Sequence, residues 1–322
     1  MALLEVEDLR THFSTDGGEF RAVDGISFAV DSGKTLGIVG ESGCGKSVTS
    51  LTVMGLLPSR GARIAGGRIT FAGKNLRELP ADQLRDLRGN RLAMIFQEPM
   101  TSLNPAYTIG DQIMEGLVRH KGLTTAQARE QAIAMLRKVK IPAPERRVDD
   151  YPHQLSGGMR QRAMIAMALA CGPELLIADE PTTALDVTVQ AQILDLLREL
   201  QRDLGTAIML ISHDMGVIAE MADHVAVMYA GRIVEQAPVE MLFDAPQHPY
   251  TIGLLGSIPR LDHTKERLAA IEGSVPDPLD PPPGCRFSPR CPFADAQCRA
   301  AAPELRDVLS GHAVACWKAP LL

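Results

Sequence analysis

The sequence predicts an α/β fold in which helices cover both faces of a mostly parallel sheet. Short, almost entirely apolar runs recur along the chain, as in "KTLGIV", "ELLIADE" and "AIMLISHD". Such runs are typical of strands that are buried on both faces. Each run ends in glycine or in polar residues, and a segment with helical spacing follows the first of them. Because sheets of this kind bind ligands beyond the carboxyl ends of their strands, these residues indicate the functional edge.

Composition narrows the class of protein. The chain has 322 residues, of which 45% are hydrophobic and 22% charged, as expected for one large globular domain with an appendage or for two domains. A net charge of −6 argues against a general nucleic-acid binder. No apolar run approaches the roughly 18 residues of a membrane span. The opening "MALLEVEDLRTHF" turns acidic at once, unlike a signal peptide. We therefore expect a cytosolic protein whose membrane role, if any, comes through a partner.

A glycine-rich turn follows the first apolar run. The stretch "GESGCGKS" fits the pattern G-x-x-x-x-G-K-[ST] at Gly40, Gly45, Lys46 and Ser47. Glycines let successive N–H groups point inward at phosphate oxygens, and the next helix adds its positive N-terminus. Lys46 would reach the β- and γ-phosphates, and Ser47 would bind Mg²⁺. The setting between a strand and a helix makes this a phosphate-binding loop rather than an accidental turn.

Three further strand ends carry residues suited to hydrolysis. Asp179 fits a Mg²⁺-holding carboxylate, and Glu180 could polarise the attacking water. His213 could orient that water or sense the γ-phosphate. A lone histidine is more often structural, but its place beyond a strand favours a functional role. Gln97 follows the run "RLAMIF" and could approach Mg²⁺ or the water.

A second helix start, "LSGGMRQR", has the features of another anion site. Ser156 is a plausible cap, and Gly157 and Gly158 leave backbone amides exposed. The alternative is simply a capped helix, which the cap chemistry alone does not exclude. One triphosphate rarely needs two such sites in one chain. An arrangement in which this turn closes on a nucleotide held by a second subunit resolves the difficulty.

Taken together, these motifs resemble ATP-binding-cassette (ABC) ATPases in order and spacing. The resemblance implies a parallel-sheet RecA-like core with an antiparallel β subdomain and a helical subdomain. It also implies a head-to-tail dimer that holds two Mg·ATP, with "LSGGMRQR" touching the partner's nucleotide and "TTALD", ending at Asp186, touching the partner subunit. Phe13 is the candidate for stacking on adenine, although Phe20 is possible. The remaining expected nucleotide contacts are Ser42, Gly43, Cys44 and Val48.

We expect this module to serve transport. No long coiled-coil arm of the kind found in repair members is present, and only one phosphate-loop motif occurs. From "APQHPYTIGLLGSIPR" onward the chain resembles ATP-binding subunits of peptide importers of the oligopeptide/dipeptide permease family, particularly their dipeptide D type. That implies a second, distinct ATPase subunit, two membrane permease subunits and an external peptide-binding protein. Nickel or another small solute is the alternative cargo. "EPMTSLNPAYTIGDQI", with Pro99 and Pro105, is expected near the permease contact.

Four cysteines cluster near the C-terminal end of the chain. Cys285, Cys291, Cys298 and Cys316 follow the proline-rich stretch "PDPLDPPPG". A loop-rich lobe needs a staple, and a reducing cytosol favours metal over disulfides. Zinc ribbons use close C-x₂₋₄-C pairs, which are absent, whereas unequal spacing suits a [4Fe–4S] cluster. The resemblance also implies such a cluster. Zinc and free thiols remain alternatives.

The predicted organisation follows from these assignments. Residues 1–235 form the ATPase domain, with a helical subdomain inserted at about 98–172, and residues 236–322 form a C-terminal extension. We expect the chain at the cytoplasmic face of the membrane as a peripheral subunit. A soluble ATPase in iron–sulfur or redox metabolism is the competing hypothesis. A non-hydrolysing regulatory partner is a third, which Glu180 and His213 argue against.

Overall fold

The computed structural model describes residues 2–98, 102–183, 186–258 and 271–321, and the chain forms two compact units. The helical unit consists of Asp31–Lys34 and Glu78–Leu210. The phosphate-loop unit consists of Ala2–Val30, Thr35–Arg77 and Ile211–Leu322. The domain division predicted from the sequence, at residues 235 and 236, stays a prediction.

Twelve strands are found among the described residues. They are β1 (Ala2–Thr15), β2 (Gly18–Asp31), β3 (Thr35–Val39), β4 (Ala62–Phe71), β5 (Lys74–Asn75), β6 (Leu92–Ile95), β7 (Leu175–Asp179), β8 (Ala207–Ser212), β9 (His224–Tyr229), β10 (Arg232–Pro238), β11 (Arg306–Leu309) and β12 (His312–Val314). The apolar runs predicted as strands are confirmed as β3, β6, β7 and β8. Every residue of these four strands is buried, as expected for strands covered on both faces.

The helices of the described residues are given in chain order. They are α1 (Lys46–Met54), α2 (Ala81–Leu87), α3 (Ile109–Lys121), α4 (Thr125–Lys138), α5 (Pro144–Arg147), α6 (Gly157–Leu169), α7 (Val187–Leu204), α8 (Met215–Met221), α9 (Val239–Asp244), α10 (Pro249–Gly256) and α11 (Ala296–Ala300). Two 3₁₀ turns occupy Leu76–Glu78 and Pro152–Gln154. No helix in the described ranges is long and apolar enough to span a bilayer.

The phosphate-loop unit contains an antiparallel sheet with the strand order β2-β1-β4-β5. In it Leu4 lies opposite Phe71 and Val6 opposite Ile69, and all four side chains are buried. The same unit has strands in the order β11-β12-β10-β9-β3, of which β3 and β9 are parallel. The end of β3 is buried in this sheet, and the turn that follows runs from buried Gly40 through exposed Ser42 and Gly43 to buried Cys44.

The helical unit contains β6, β7 and the part of β8 up to Leu210, with β6 and β7 parallel. Helices α3 to α6 follow β6 in the chain. Thr108 and Thr124 start α3 and α4 through capping boxes with Asp111 and Gln127, which satisfy the first free amides of each helix. This local chemistry explains why these two helices begin where they do.

The C-terminal extension has more regular structure than the sequence suggested. Strands β11 and β12 form a hairpin, and β12 pairs with β10 through Glu235 opposite Val314. The prediction of a loop-dominated lobe holds for residues 271–295, where no helix or strand is found. The pairing was missed because β12 has only three residues, too few to show a period of two.

Candidate nucleotide-binding site

The phosphate-binding loop connects β3 to α1 and requires glycine at two positions. A Cβ on Gly40 would lie 2.1 Å from the carbonyl oxygen of Met228. A Cβ on Gly45 would lie 2.4 Å from the carbonyl oxygen of Ala22, and the φ of Gly45 is 105°. Backbone from neighbouring strands therefore presses against the loop, and only a residue without a side chain fits.

Lys46 is buried, with 5% of its surface exposed. Its ammonium donates hydrogen bonds to the carbonyl oxygens of Gly40 at 2.7 Å and Glu41 at 3.0 Å. A buried charge needs such partners, and these keep the ammonium inside the curl of the loop. Of the other predicted contacts, Ser42 and Gly43 are exposed on the loop, Cys44 is buried, and Ser47 and Val48 are half-buried on α1.

The two aromatic candidates for adenine stacking lie together. The Phe13 and Phe20 rings stack with centroids 6.0 Å apart, and both are half-buried. Phe20 also lines a cavity of about 310 Å³ that includes Ser42 and Gly43 of the loop. Residues 275–278 and 281 of the extension form part of the wall of this cavity. That wall was not predicted, because proline-rich sequence indicates only irregular backbone.

The carboxylates predicted for Mg²⁺ and water lie in the helical unit. Asp179 ends β7 and is 4% exposed. Glu180 follows in the left-handed region with φ of 48°, a strained conformation that is typical of functional sites. Its Oε2 accepts hydrogen bonds from Gln97 Nε2 at 2.9 Å and from Thr183 Oγ1 at 2.8 Å. The structure thus brings Gln97 and Glu180 together. Thr183 is a contact that the sequence motif contained but did not identify.

His213 belongs to the phosphate-loop unit and is exposed after the end of β8. The next residue, Asp214, caps α8 by accepting the Gly216 N–H at 2.8 Å, and its own N–H donates to Ser212 Oγ at 3.0 Å. These bonds fix the backbone on the C-terminal side of His213. The histidine therefore sits in a defined turn at the strand end.

The second glycine turn is held by hydrogen bonds within the chain but is partly exposed. Ser156 caps α6 by accepting the Met159 N–H at 3.4 Å, while Gln161 donates to the Pro181 carbonyl. Ser156 and Gly157 are exposed, and nothing lies within 4 Å of a Cβ built on Gly157. The start of α6 is therefore open on the side of Gly157.

Two predicted contact segments are only partly described. Asp186 caps α7, where its carboxylate accepts the Val189 N–H at 2.9 Å, so its position also has a structural role. Residues 184 and 185 of "TTALD" lie outside the described residues, as do Pro99 and its two followers in the expected permease-contact segment.

The four clustered cysteines are free thiols that influence one another. Cys285 interacts electrostatically with the other three, and burial raises its pKa to about 11. The backbone N–H of Lys318 donates to the Cys316 sulfur at 3.4 Å. However, the described residues contain no group of three or more His, Cys, Asp or Glu side chains placed to hold a metal ion. The predicted metal-binding character of the extension is therefore not supported by this geometry.

Similarity to known proteins agrees with this architecture. Residues 23–183 match the family described as ABC transporter, and residues 234–298 match the family described as oligopeptide/dipeptide transporter, C-terminal region. A solved structure titled as the dimeric, ADP- and Pi-bound post-hydrolysis state of the ATP-binding cassette MJ0796 has a TM-score of 0.66 at 24% identity. It covers 73% of this chain and 98% of that one, and it supports the fold alone.

Two full-length relatives are much more similar in sequence. A probable peptide ABC transporter ATP-binding protein of Sinorhizobium fredii is 57% identical, over 98% of this chain and 95% of its own length. The dipeptide transport ATP-binding protein DppD of Bacillus subtilis is 52% identical, over 98% and 94%. The chain therefore belongs to the ABC transporter family, as an ATPase subunit that carries the C-terminal region of the oligopeptide/dipeptide transporters.

Proposed function

We propose that this ATPase powers the import of dipeptides or oligopeptides across the cytoplasmic membrane. One observation carries the proposal: the ABC ATPase and the oligopeptide/dipeptide C-terminal region occur in the same chain. The relatives named as peptide and dipeptide transport proteins support it. The subunit would act peripherally at the cytoplasmic face, with two permease subunits, a second and distinct ATPase subunit, and an extracytoplasmic binding protein.

Phosphate binding falls to the loop between β3 and α1. Its backbone amides and the ammonium of Lys46 would neutralise the triphosphate, and the buried position of Lys46 strengthens that attraction. The oxygen ligands that Mg²⁺ prefers are available from Ser47, Gln97 and Asp179. Asp179 is only 4% exposed, and a bound cation would compensate the charge of this buried carboxylate. The metal would supply charge stabilisation for phosphoryl transfer.

Hydrolysis needs a positioned water more than covalent chemistry. Glu180 is the candidate general base, and the donors on Gln97 and Thr183 fix the direction of its carboxylate. His213 is proposed to orient the same reaction from its own strand end. The left-handed backbone of Glu180, with φ of 48°, supports this role, because strained residues cluster at active sites.

A second subunit would complete each site. Ser156, Gly157 and Gly158 are proposed to contact ATP held by the partner, and the open space above Gly157 supports this. The "TTALD" segment with Asp186 would contact the partner near the same place. This arrangement requires head-to-tail dimerisation, so turnover should depend on assembly.

The cargo is tested by uptake. A strain lacking this chain should lose accumulation of a radiolabelled dipeptide, and wild-type chain but not Glu180→Gln should restore it. Loss of ⁶³Ni²⁺ uptake with dipeptide uptake intact would replace the peptide assignment by the nickel alternative. Recovery of the chain with cluster-assembly proteins and without membrane subunits would favour the soluble-ATPase hypothesis.

For the extension, we propose that the four thiols bind a [4Fe–4S] cluster, with zinc and free thiols as the alternatives. Their mutual interactions and the N–H of Lys318, which donates to the Cys316 sulfur, support this, since such bonds tune cluster sulfurs. A cubane takes one cysteine per iron, so it does not need three side chains around one ion.

Metal analysis decides between these possibilities. Chain purified without oxygen should contain about four iron and four sulfide per molecule, the stoichiometry of the cubane. Cys291→Ser should lower both contents, whereas Cys171→Ser should not, because Cys171 is a buried thiol outside the cluster of four. One zinc per chain, or no metal at all, would decide for the corresponding alternative.

A further inference from the structure

The second residue of the phosphate-binding loop, Glu41, is held by two side chains from the C-terminal extension. Its backbone N–H donates to the hydroxyl oxygen of Tyr250 at 2.8 Å. Its carboxylate accepts two hydrogen bonds from Arg290, at 2.6 and 3.0 Å, one on each oxygen. This is the bidentate geometry that gives arginine–carboxylate pairs both strength and direction.

Arg290 is itself fixed in place. Only 4% of its side chain is exposed, and it also donates to the carbonyl oxygens of Ile271 and Glu272, each at 3.0 Å. The rings of Tyr229 and Phe287 flank the guanidinium, with centroids 5.8 and 6.0 Å from its carbon. A guanidinium with this many partners cannot follow Glu41 if the loop moves. It therefore sets where Glu41 can lie.

Tyr250 is equally rigid. It is fully buried, and its ring packs against Tyr229 and Phe287 with centroid distances of 4.6 and 5.5 Å. Burial raises the pKa of its hydroxyl, so the group stays neutral and keeps its proton. Its oxygen is thus a fixed acceptor for the Glu41 N–H.

The residue held in this way also positions Lys46. The carbonyl oxygen of Glu41 accepts a hydrogen bond from the Lys46 ammonium at 3.0 Å, and that of Gly40 accepts one at 2.7 Å. A displacement of Glu41 would move one of these two acceptors. The extension is therefore connected to the phosphate-binding lysine through a single residue of the loop.

We propose that Arg290 and Tyr250 are positioning residues for nucleotide binding, through which the C-terminal extension holds the phosphate-binding loop in its binding conformation. The inference rests on the proposed assignment of residues 40–47 as the triphosphate site. Neither residue would touch the nucleotide. Both would act on it through Glu41, and the extension would thereby be part of the ATPase rather than an appendage.

The test is equilibrium binding of MgATP and MgADP to the full-length chain by calorimetry, with thermal unfolding measured on the same samples without nucleotide. Arg290→Gln should raise both dissociation constants about tenfold, and Glu41→Gln should do the same. The double variant should be no worse than either single one, because the two changes remove the same interaction. Arg290→Lys keeps the charge without the two-pronged geometry, so its affinity should fall between wild type and Arg290→Gln.

Arg306→Gln is the matched control. Arg306 also lies in the extension and donates a side-chain hydrogen bond, at 3.0 Å, to the Ala319 carbonyl, without touching the loop. It should change nucleotide affinity less than twofold. In the assembled transporter, Arg290→Gln should raise KM for ATP with little change in kcat, a split that a purely structural role would not produce.

The outcomes distinguish a failure of the positioning role from a failure of residues 40–47 as the triphosphate site. Lys46→Ala should abolish binding, and undiminished binding by that variant would remove residues 40–47 as the triphosphate site. If Lys46→Ala loses binding but Arg290→Gln and Glu41→Gln keep wild-type affinity, the positioning role is wrong. If Arg290→Gln fails to fold, Glu41→Gln decides alone, since it leaves Arg290 and its carbonyl partners in place. Additive losses in the double variant would also contradict the proposal.

Discussion

The chain contains two glycine turns that open helices, and they differ in how much protein surrounds them. The turn before α1 is closely packed at both ends: backbone carbonyls block a Cβ at Gly40 and Gly45, and Lys46 is buried. The turn before α6 has a serine cap and an exposed Gly157 with open space beside it. Both present helix amides, which favour anions. The difference indicates that the first turn is shaped by packing within its own chain, whereas the second has free space in which, as proposed above, nucleotide held by a second subunit would bind.

The largest expected effect comes from adding one methyl group to a glycine in the first turn, compared with the same change in the second turn. Gly45→Ala should reduce MgATP affinity of the isolated chain by at least about a hundredfold, because the new Cβ would strike the Ala22 carbonyl at 2.4 Å and the φ of 105° disfavours alanine. Gly157→Ala is the matched control and should bind MgATP normally. Calorimetric titration measures both. Equal affinities would show that enclosure of the loop does not matter for binding.

The next effect concerns the carboxylate that follows β7. Glu180→Gln should lower ATP turnover of the assembled transporter by at least about a hundredfold, the usual loss when a general base is removed. Binding should persist, because the amide oxygen can still accept from Gln97 and Thr183. Phosphate release and nucleotide binding are the two measurements. Near-normal turnover would remove Glu180 from the role of base.

Sequence predicted the parts of this site that depend on local pattern. The buried strands, the glycine loop and the cap at Ser156 all follow from residues close together in the chain. The left-handed backbone at Glu180 was not predictable, because glutamate rarely adopts it and nothing adjacent in sequence requires it.

Arg290 shows the same limit over a longer range. It lies 249 residues from Glu41, and an arginine among prolines and cysteines gives no sign of a partner in the phosphate loop. For the four clustered cysteines, the sequence predicted a site that the geometry does not support. Their spacing predicted metal, whereas the described side chains contain no group placed around an ion. Spacing fixes which residues are available, but the folded loop decides how close they come.

A smaller expected effect concerns Ser156, in the turn before α6. Ser156→Ala removes the acceptor for the Met159 N–H and should cost about 1 kcal/mol of stability, as for other helix caps. MgATP binding by the isolated chain should be unchanged, while turnover of the assembled transporter should fall about tenfold through the lost contact to the partner's nucleotide. Chemical denaturation and phosphate release measure the two effects. A loss of stability alone would reduce Ser156 to a cap.

The smallest expected effect is a dependence of stability on pH that comes from the buried residue His248. Burial lowers the pKa of His248 to about 3, and its neutral Nδ1 accepts the Tyr250 N–H at 3.1 Å, while Glu235 accepts the backbone N–H of His248. Below pH 6.5 the unfolded chain binds a proton that the folded chain does not, so stability should fall as the pH drops from about 6.5 towards 3.

The expected loss is about 1 kcal/mol over the first pH unit below 6.5. Urea unfolding at pH 6.5 and 5.5 measures it. His248→Gln should show a smaller loss than wild type, because its amide does not titrate, whereas His153→Gln, at an exposed position, should lose as much as wild type. If His248→Gln keeps the full pH dependence, other groups carry it. Protonation of His248 would then not explain the loss of stability below pH 6.5.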